Sequence, residues 1–585
     1  MQKPKPPRPA KWAAKCNMHT PFLPNPFIVT SKDDVLPLYN QLIGRSLSSI
    51  SDFRTFLSDV SELESALSED MAWRYIRMTC DTQNKDHEAA YLNFVQEIQP
   101  HLAPLEDQIN KKIVSCEWAV AWRVESEAHE IYLRGLEGAV ELFREENIPL
   151  QSDLATLAQE YSAIQGAMSL EWEGQTLTLQ QASNILMRTD RQARENVWQL
   201  MQTRRAEDTD KLNTLFNQMV QLRHQVALNA GFANFRDYMF KAMGRYDYDV
   251  TACKDFHRSV ETAVVPLLKG LMQRRKAQMG LDSLKPWDTQ VDPLGREPLK
   301  PFTGGQELLD KGIDCLTRVD SFFGECIKTM ENHELLDLDS RLGKAPGGYN
   351  YPLAKTNMPF IFMNASGNLR DVETLVHEAG HAIHSFQMAP LGLNAFKNTP
   401  SEVAELASMS MELLTMNTWD AYFDDSDLLN RAKAEQLEGI LGTLPWIAQV
   451  DAFQHWIYEN PNHTVEERTA AWMDLSKRFG SGEVDYTGME AALENSWHKQ
   501  LHIFEVPFYY IEYGFAQLGA IGVWRNYMQN GSKAIESYKA FLKLGYTQSI
   551  PKVYETAGVK FDFSAKYIQE LMQFVHDELQ GVYQS

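Results

Sequence analysis

The stretch His377-Glu378-Ala379-Gly380-His381 constrains this chain more than any other five residues in it. Two imidazoles four residues apart act together when the backbone is helical, because both rings then project from one face, one turn apart. The flanking residues agree with a helix. Asn368 suits the N-cap, and Asp371 three residues later sets a carboxylate near the positive end of the dipole. Val372, Leu375, Val376, Ala379, Ile383 and Phe386 supply a broad apolar face. Such a helix presents two nitrogens to one tetrahedral ion, with Glu378 beside them as a possible base. With 15 His in 585 residues, composition yields roughly 0.03 chance matches to this pattern, so accident is a weak explanation.

A catalytic zinc takes three protein ligands and keeps a fourth position for water. The segment Thr399 to Glu412 offers three carboxylates. Thr399 reads as an N-cap, Pro400 as the first helical residue and Glu402 as the third, a capping box that gives Glu402 a structural task. Glu405, one turn further in, is the expected third ligand. Glu412, two turns on and on the same face, is expected to orient a ligand histidine through its other nitrogen; a solvated helix carboxylate is the plainer alternative. The cofactor expected is Zn2+, one per chain, although cobalt or manganese suits the same donors.

The rest of the chain reads as predominantly α. Apolar residues recur at helical spacing from Ala89 to Ile98, Ala119 to Leu133 and Leu212 to Asn229. Leu170 to Leu179 alternates around Glu173-Gly174, which predicts a small hairpin. Pro286, Pro293, Pro298 and Pro301 mark an extended loop. Gly343 to Gly367 is rich in turn residues and leads into a short strand at Phe360-Ile361-Phe362-Met363, just before the metal motif. The domain division expected is a helical region over 1–110, a helical domain with the hairpin over 111–200, and a metal-bearing region over 201–585.

Charge narrows the partners. A net charge of -22 disfavours nucleic acid and anionic membranes, which need clustered Lys and Arg. The basic, proline-rich Met1 to Pro9 is followed by no apolar run, so neither a signal nor an anchor is expected, and no stretch is long enough to span a bilayer. Six scattered cysteines without a Cys-x-x-Cys pair suit free thiols in a reducing, cytoplasmic setting and argue against a Cys-based zinc site.

These residues resemble the thimet/oligopeptidase F group of metallopeptidases. The likeness rests on His377 to His384, on Glu405 with Ser408 and Glu412, and on His502-Ile503-Phe504-Glu505-Val506-Pro507-Phe508-Tyr509-Tyr510-Ile511-Glu512-Tyr513. It runs from about residue 110 to the end and includes Trp172-Glu173-Gly174 and Leu222-Arg223-His224; the first hundred residues carry little that is recognisable. The resemblance implies a two-lobed helical body around a deep channel for short peptides, and a small sheet beside the zinc site, at Gly347 to Met363, that pairs with substrate backbone. It also implies that His502, Tyr510 and Tyr513 contact the substrate carbonyl oxygen; the histidine-to-tyrosine interval is one residue shorter than in the thimet branch, which leaves open which tyrosine points inward, with Tyr509 the weaker candidate. A phenol can donate to a developing oxyanion without carrying charge, and a helical backbone would make Tyr510 and Tyr513 neighbours. By itself, the run Phe508-Tyr509-Tyr510 also suits core packing. His498 and His502 repeat the four-residue spacing without an adjacent carboxylate, so no second metal is expected there. His384 is expected on the metal helix at the cleft edge.

The function expected is zinc-dependent hydrolysis of internal bonds in short oligopeptides, with Glu378 as general base. The alternatives are a zinc carboxypeptidase of related helical fold, which needs a cationic anchor for the substrate carboxylate, and a non-catalytic peptide-binding protein. Oligomeric state is not legible in the sequence.

Overall fold

A computed structural model describes residues 21–341, 343–345 and 347–584. The basic N-terminal stretch, Cys16 and Pro346 lie outside them. The chain divides into two compact units, each assembled from three separate stretches. The first comprises Met1–Phe143, Lys300–Leu429 and Gly519–Phe561; the second comprises Arg144–Leu299, Asn430–Leu518 and Asp562–Ser585. Both are mainly helical. No helix among the described residues is long and apolar enough to cross a membrane, and no described cysteine is in a disulfide.

Five strands are present among the described residues. β1 (Ser169–Trp172) and β2 (Gln175–Thr178) form the expected antiparallel hairpin in the second unit. Glu173 and Gly174 both take positive φ, 50° and 79°, the backbone that matches a two-residue turn to strand twist. In the first unit β3 (Leu336–Asp339), β4 (Tyr349–Leu353) and β5 (Met358–Ala365) form a sheet in the order β3-β5-β4. β5 pairs parallel to β3 and antiparallel to β4. Its residues from Met358 to Met363 are all buried, which is why the strand reads as one continuous apolar run.

Ion pairs and buried amines hold this sheet. The Lys344 ammonium, with its side chain wholly buried, donates to the carbonyls of Asp337 and Asp339, to the Asp337 carboxylate and to the Met363 carbonyl. The turn between β4 and β5 is tied to helix Ile50–Cys80, where Glu69 accepts from the backbone amides of Lys355 (2.8 Å) and Thr356 (2.7 Å). Thr79 on the same helix meets the Tyr349 hydroxyl at 2.6 Å.

Two expected helices differ in detail. The segment expected as one helix over Ala119 to Leu133 is two, Glu117–Arg123 and Glu127–Leu142, because Ser126 takes an extended backbone and caps the second through the His129 amide. Ala89 to Ile98 ends in a wide turn, Phe94–Ile98, of π type.

In the second unit the start of the Pro-rich segment is pinned by charge. Asp288, fully buried, receives Arg191 at 2.8 Å and Arg194 at 3.1 Å, and Arg194 is itself buried. Burial works against the charge on Asp288, but the two arginines and the Lys285 amide outweigh it and hold the carboxyl below its ordinary range. Removing one partner of a buried pair strands the other charge. Asp288→Ala is therefore expected to lower stability by roughly 3–5 kcal/mol in urea titration of the whole chain; an unchanged midpoint would show that solvent reaches Arg194.

Candidate metal centre

The histidine helix, Leu369–Met388, begins where the sequence places it. Asn368 accepts from the Asp371 amide at 3.1 Å, and Asp371 returns the bond by accepting from the Asn368 amide at 3.1 Å and the Gly367 amide at 2.8 Å. Val372, Leu375, Val376, Ala379 and Ile383 are fully buried along one face. β5 and β4 pack against this helix, and the Asn350 side-chain amide on β4 donates to the Glu378 carbonyl at 3.3 Å.

The glutamate helix, Ser401–Thr415, starts one residue later than expected. Pro400, in extended backbone, is the cap, and its carbonyl accepts from the amides of Val403 and Ala404. A cap position needs no N–H, so proline serves there. Thr399 and Glu402 consequently form no capping box; Glu402 is buried, and its carbonyl accepts from the Tyr554 hydroxyl at 3.0 Å.

The two helices meet at Gly380. A Cβ built there would lie 2.6 Å from Ser408 Cα and 2.8 Å from the Ala407 carbonyl oxygen, closer than real side chains approach. This contact brings Glu405 to the histidines. His377 Nε2 is 3.4 Å and His381 Nε2 3.6 Å from Glu405 Oε2. In a tetrahedral zinc site with bonds of about 2.0–2.1 Å, ligand atoms stand about 3.3 Å apart, close to both histidine-to-glutamate distances, and one ligand atom from each of the three residues lies within 4.8 Å of the others. Ser408 steadies the glutamate, donating to its Oε2 at 3.0 Å. Glu412 meets His377 Nδ1 at 2.7 Å, which leaves Nε2 for a metal.

Electrostatics point the same way. Burial opposes the charge on His377, yet hydrogen bonds to Glu405 and Glu412 raise its proton affinity well above the ordinary value. A site that favours a proton so strongly favours any cation that can displace it. His381, lacking such bonds, is pulled down to about 4 by burial above all. Burial pushes Glu378 up to about 7; His377 opposes this, while Glu405 and Glu412 add to it. A carboxyl poised near neutrality can both take and give a proton.

His384 departs from expectation. It is buried, not at a cleft edge, with its ring against Phe541, and burial pulls it down to about 3. It falls on the helix face that packs into the first unit's core, and the four-residue spacing alone does not reveal that face.

His502, Tyr509, Tyr510 and Tyr513 gather in the second unit. The His502 ring lies 4.8 Å from that of Tyr510 and 5.7 Å from that of Tyr513, and the two tyrosine rings are 5.5 Å apart. All four side chains are half-buried, whereas Phe508 is fully buried. Tyr510 sits in the turn before helix Ile511–Asn530 and Tyr513 in its first turn, so the pair does not share a helix face as expected. The turn needs Phe508 at φ 69°, an unfavourable conformation for an aromatic residue. Neighbours hold it there: the Phe508 amide donates to Gln454 at 2.7 Å, and Arg245, paired with Glu512 at 2.9 Å, donates to its carbonyl. Arg223 likewise donates to the carbonyls of Ile503 and Phe504. The sequence reading assigned no role to Arg245 or Gln454, which act through backbone atoms and carry no motif. His498 is buried and faces Asn213 at 3.3 Å.

The family model for peptidase family M3 matches residues 185–573, and that for the peptidase M3 N-terminal domain matches residues 28–143. The latter extends the likeness into the first hundred residues, where motif reading found little. Oligopeptidase PepF of Bacillus subtilis is 27% identical over 332 residues, covering 55% of this chain and 48% of that protein. An oligoendopeptidase F homolog of Lactococcus lactis is 26% identical, covering 54% and 52%. The match thus spans about half the length of the curated relatives. A solved structure of PZ peptidase A with an inhibitor superimposes with a TM-score of 0.87 at 25% identity, covering 93% of this chain and 96% of that one.

Helix propensity alone would make Gly380→Ala stabilising by about 1 kcal/mol. The contact at Ser408 reverses that sign. The variant is expected to melt earlier and to bind zinc at least tenfold more weakly in competition with a chromogenic chelator, because Glu405 is levered away; wild-type affinity would show that the helices part without moving the ligand.

Proposed function

The chain belongs to peptidase family M3, and from that premise we propose that it is a zinc-dependent oligoendopeptidase that hydrolyses internal bonds of short peptides. The observation that supports this reading most is the grouping of His377, His381 and Glu405, with one carboxylate oxygen 3.4 Å and 3.6 Å from the two imidazole nitrogens and Glu378 beside them on the same helix. His377, His381 and Glu405 would hold a zinc ion, which would supply Lewis acidity for the attacking water and the scissile carbonyl. Glu378 accepts the proton of the attacking water and returns it to the leaving amine. Glu412 fixes the tautomer of His377, and Ser408 fixes the carboxylate of Glu405.

The phenols of Tyr510 and Tyr513, with His502, donate to the substrate oxygen as negative charge develops on it. Gln500, 2.8 Å from His502 Nδ1, sets the orientation of that ring. β4 is an edge strand packed on the histidine helix, the kind of edge to which an extended peptide adds as a further strand.

Glu378→Gln is expected to retain its zinc and lose at least a hundredfold in kcat on an internally quenched, end-capped peptide of about ten residues. Tyr513→Phe is expected to lower kcat by about 10²–10³ with KM little changed. Chelation should abolish cleavage and zinc should restore it. Undiminished turnover by Glu378→Gln would sink the mechanism, and trimming of uncapped peptides alone would make the enzyme an exopeptidase.

A further inference from the structure

A second group of metal-ligating side chains gathers in the second unit. Helix Val250–Ala263 contributes Cys253 and His257, and helix Ser426–Glu459 contributes Asp451 and His455. Each pair is spaced four apart, so each shares one helix face. The ligand atoms of Cys253, Asp451 and His455 all lie within 4.8 Å of one another. His257 Nε2 is 2.7 Å and His455 Nε2 is 3.2 Å from the same oxygen, Asp451 Oδ2. All four residues are buried, Cys253 and Asp451 completely.

Hydrogen bonding within the protein leaves one atom each of Asp451 and His455 unsatisfied. Asp451 Oδ1 and the His455 Nδ1 nitrogen are buried without a hydrogen-bond partner. The shell around them is apolar, with the rings of Phe240 and Phe508 set edge-on to His455 at 6.1 Å and 5.5 Å. Polar atoms withdrawn from water into such a place normally find partners. A buried carboxylate flanked by imidazoles and a thiol has the donor set of a zinc site: a thiolate and imidazole select zinc-like ions over magnesium or calcium.

We propose that Cys253, Asp451 and His455 bind a divalent ion of the zinc class, with His257 orienting the Asp451 carboxylate through its hydrogen bond. Full burial excludes substrate, so this ion clamps two helices of the second unit. The proposal adds a second metal to the single one expected from sequence, and it is independent of the peptidase reading. The sequence conceals the group because its two halves stand far apart, 194 residues between His257 and Asp451, and because scattered cysteines argue against thiolate ligation.

The test is metal content by plasma mass spectrometry, with the absorption spectrum of the cobalt-substituted chain. Two metals per wild-type chain are expected, with one retained in the double variant His377→Ala/His381→Ala. The cobalt form should show a thiolate-to-metal charge-transfer band, which the sulfur-free site at His377 cannot produce, and Cys253→Ser should abolish it. The wild-type spectrum decides the matter even where a variant fails to fold. A single metal per chain that disappears with His377 and His381, or a fully cobalt-loaded chain without that band, would overturn the proposal.

Discussion

The chemistry of this chain depends on how closely two helices approach at one residue without a side chain. With Gly380 against Ser408 and Ala407, the glutamate helix lies near enough for one carboxylate oxygen to face two imidazoles. The approach is enforced from the other side as well. Tyr538 donates to the Ala407 carbonyl at 2.7 Å and Tyr554 to that of Glu402 at 3.0 Å. Gly519 lets Leu406 and Tyr554 press close, since a Cβ there would meet them at 2.6 Å and 2.8 Å. Packing around small residues therefore sets the distances among His377, His381 and Glu405, and no loop is needed to bring them together.

The same closeness creates an electrostatic demand. Glu378, Glu405 and Glu412 crowd around His377 and His381, and Glu373, also buried, adds a fourth carboxyl whose charge burial disfavours. In a region of low dielectric such crowding is tolerated when a cation neutralises it. One proton on His377 is a partial answer; a divalent ion is a fuller one. Glu378 is affected too, since the burial that makes the cluster costly also lifts its carboxyl toward neutrality.

Much of this was legible in the sequence, and the limits have physical causes. The histidine helix announces itself three times, through ligand spacing, a capping pair at Asn368 and Asp371, and an apolar stripe. The hairpin at Glu173-Gly174 follows from turn chemistry. Glu405 and Glu412 could be placed because helical periodicity is reliable over a few turns. Contacts between distant segments were not legible. β3 gave no signal because Leu-Asp-Leu-Asp alternates polar side chains that find partners, in Lys344 and the Gly305 amide, only after folding. The start of the glutamate helix was misplaced because proline can cap as well as begin a helix. The burial of His384 and the grouping of Cys253 with Asp451 depend on which faces meet, and local periodicity does not fix that.

The account stands on His377, His381 and Glu405 holding a metal together. Anomalous diffraction on either side of the zinc absorption edge, from crystals of the whole chain, tests this most directly. The account predicts a peak about 2.0–2.2 Å from each of the two Nε2 atoms and from a Glu405 oxygen. Active, zinc-containing crystals with no peak at that point would contradict it.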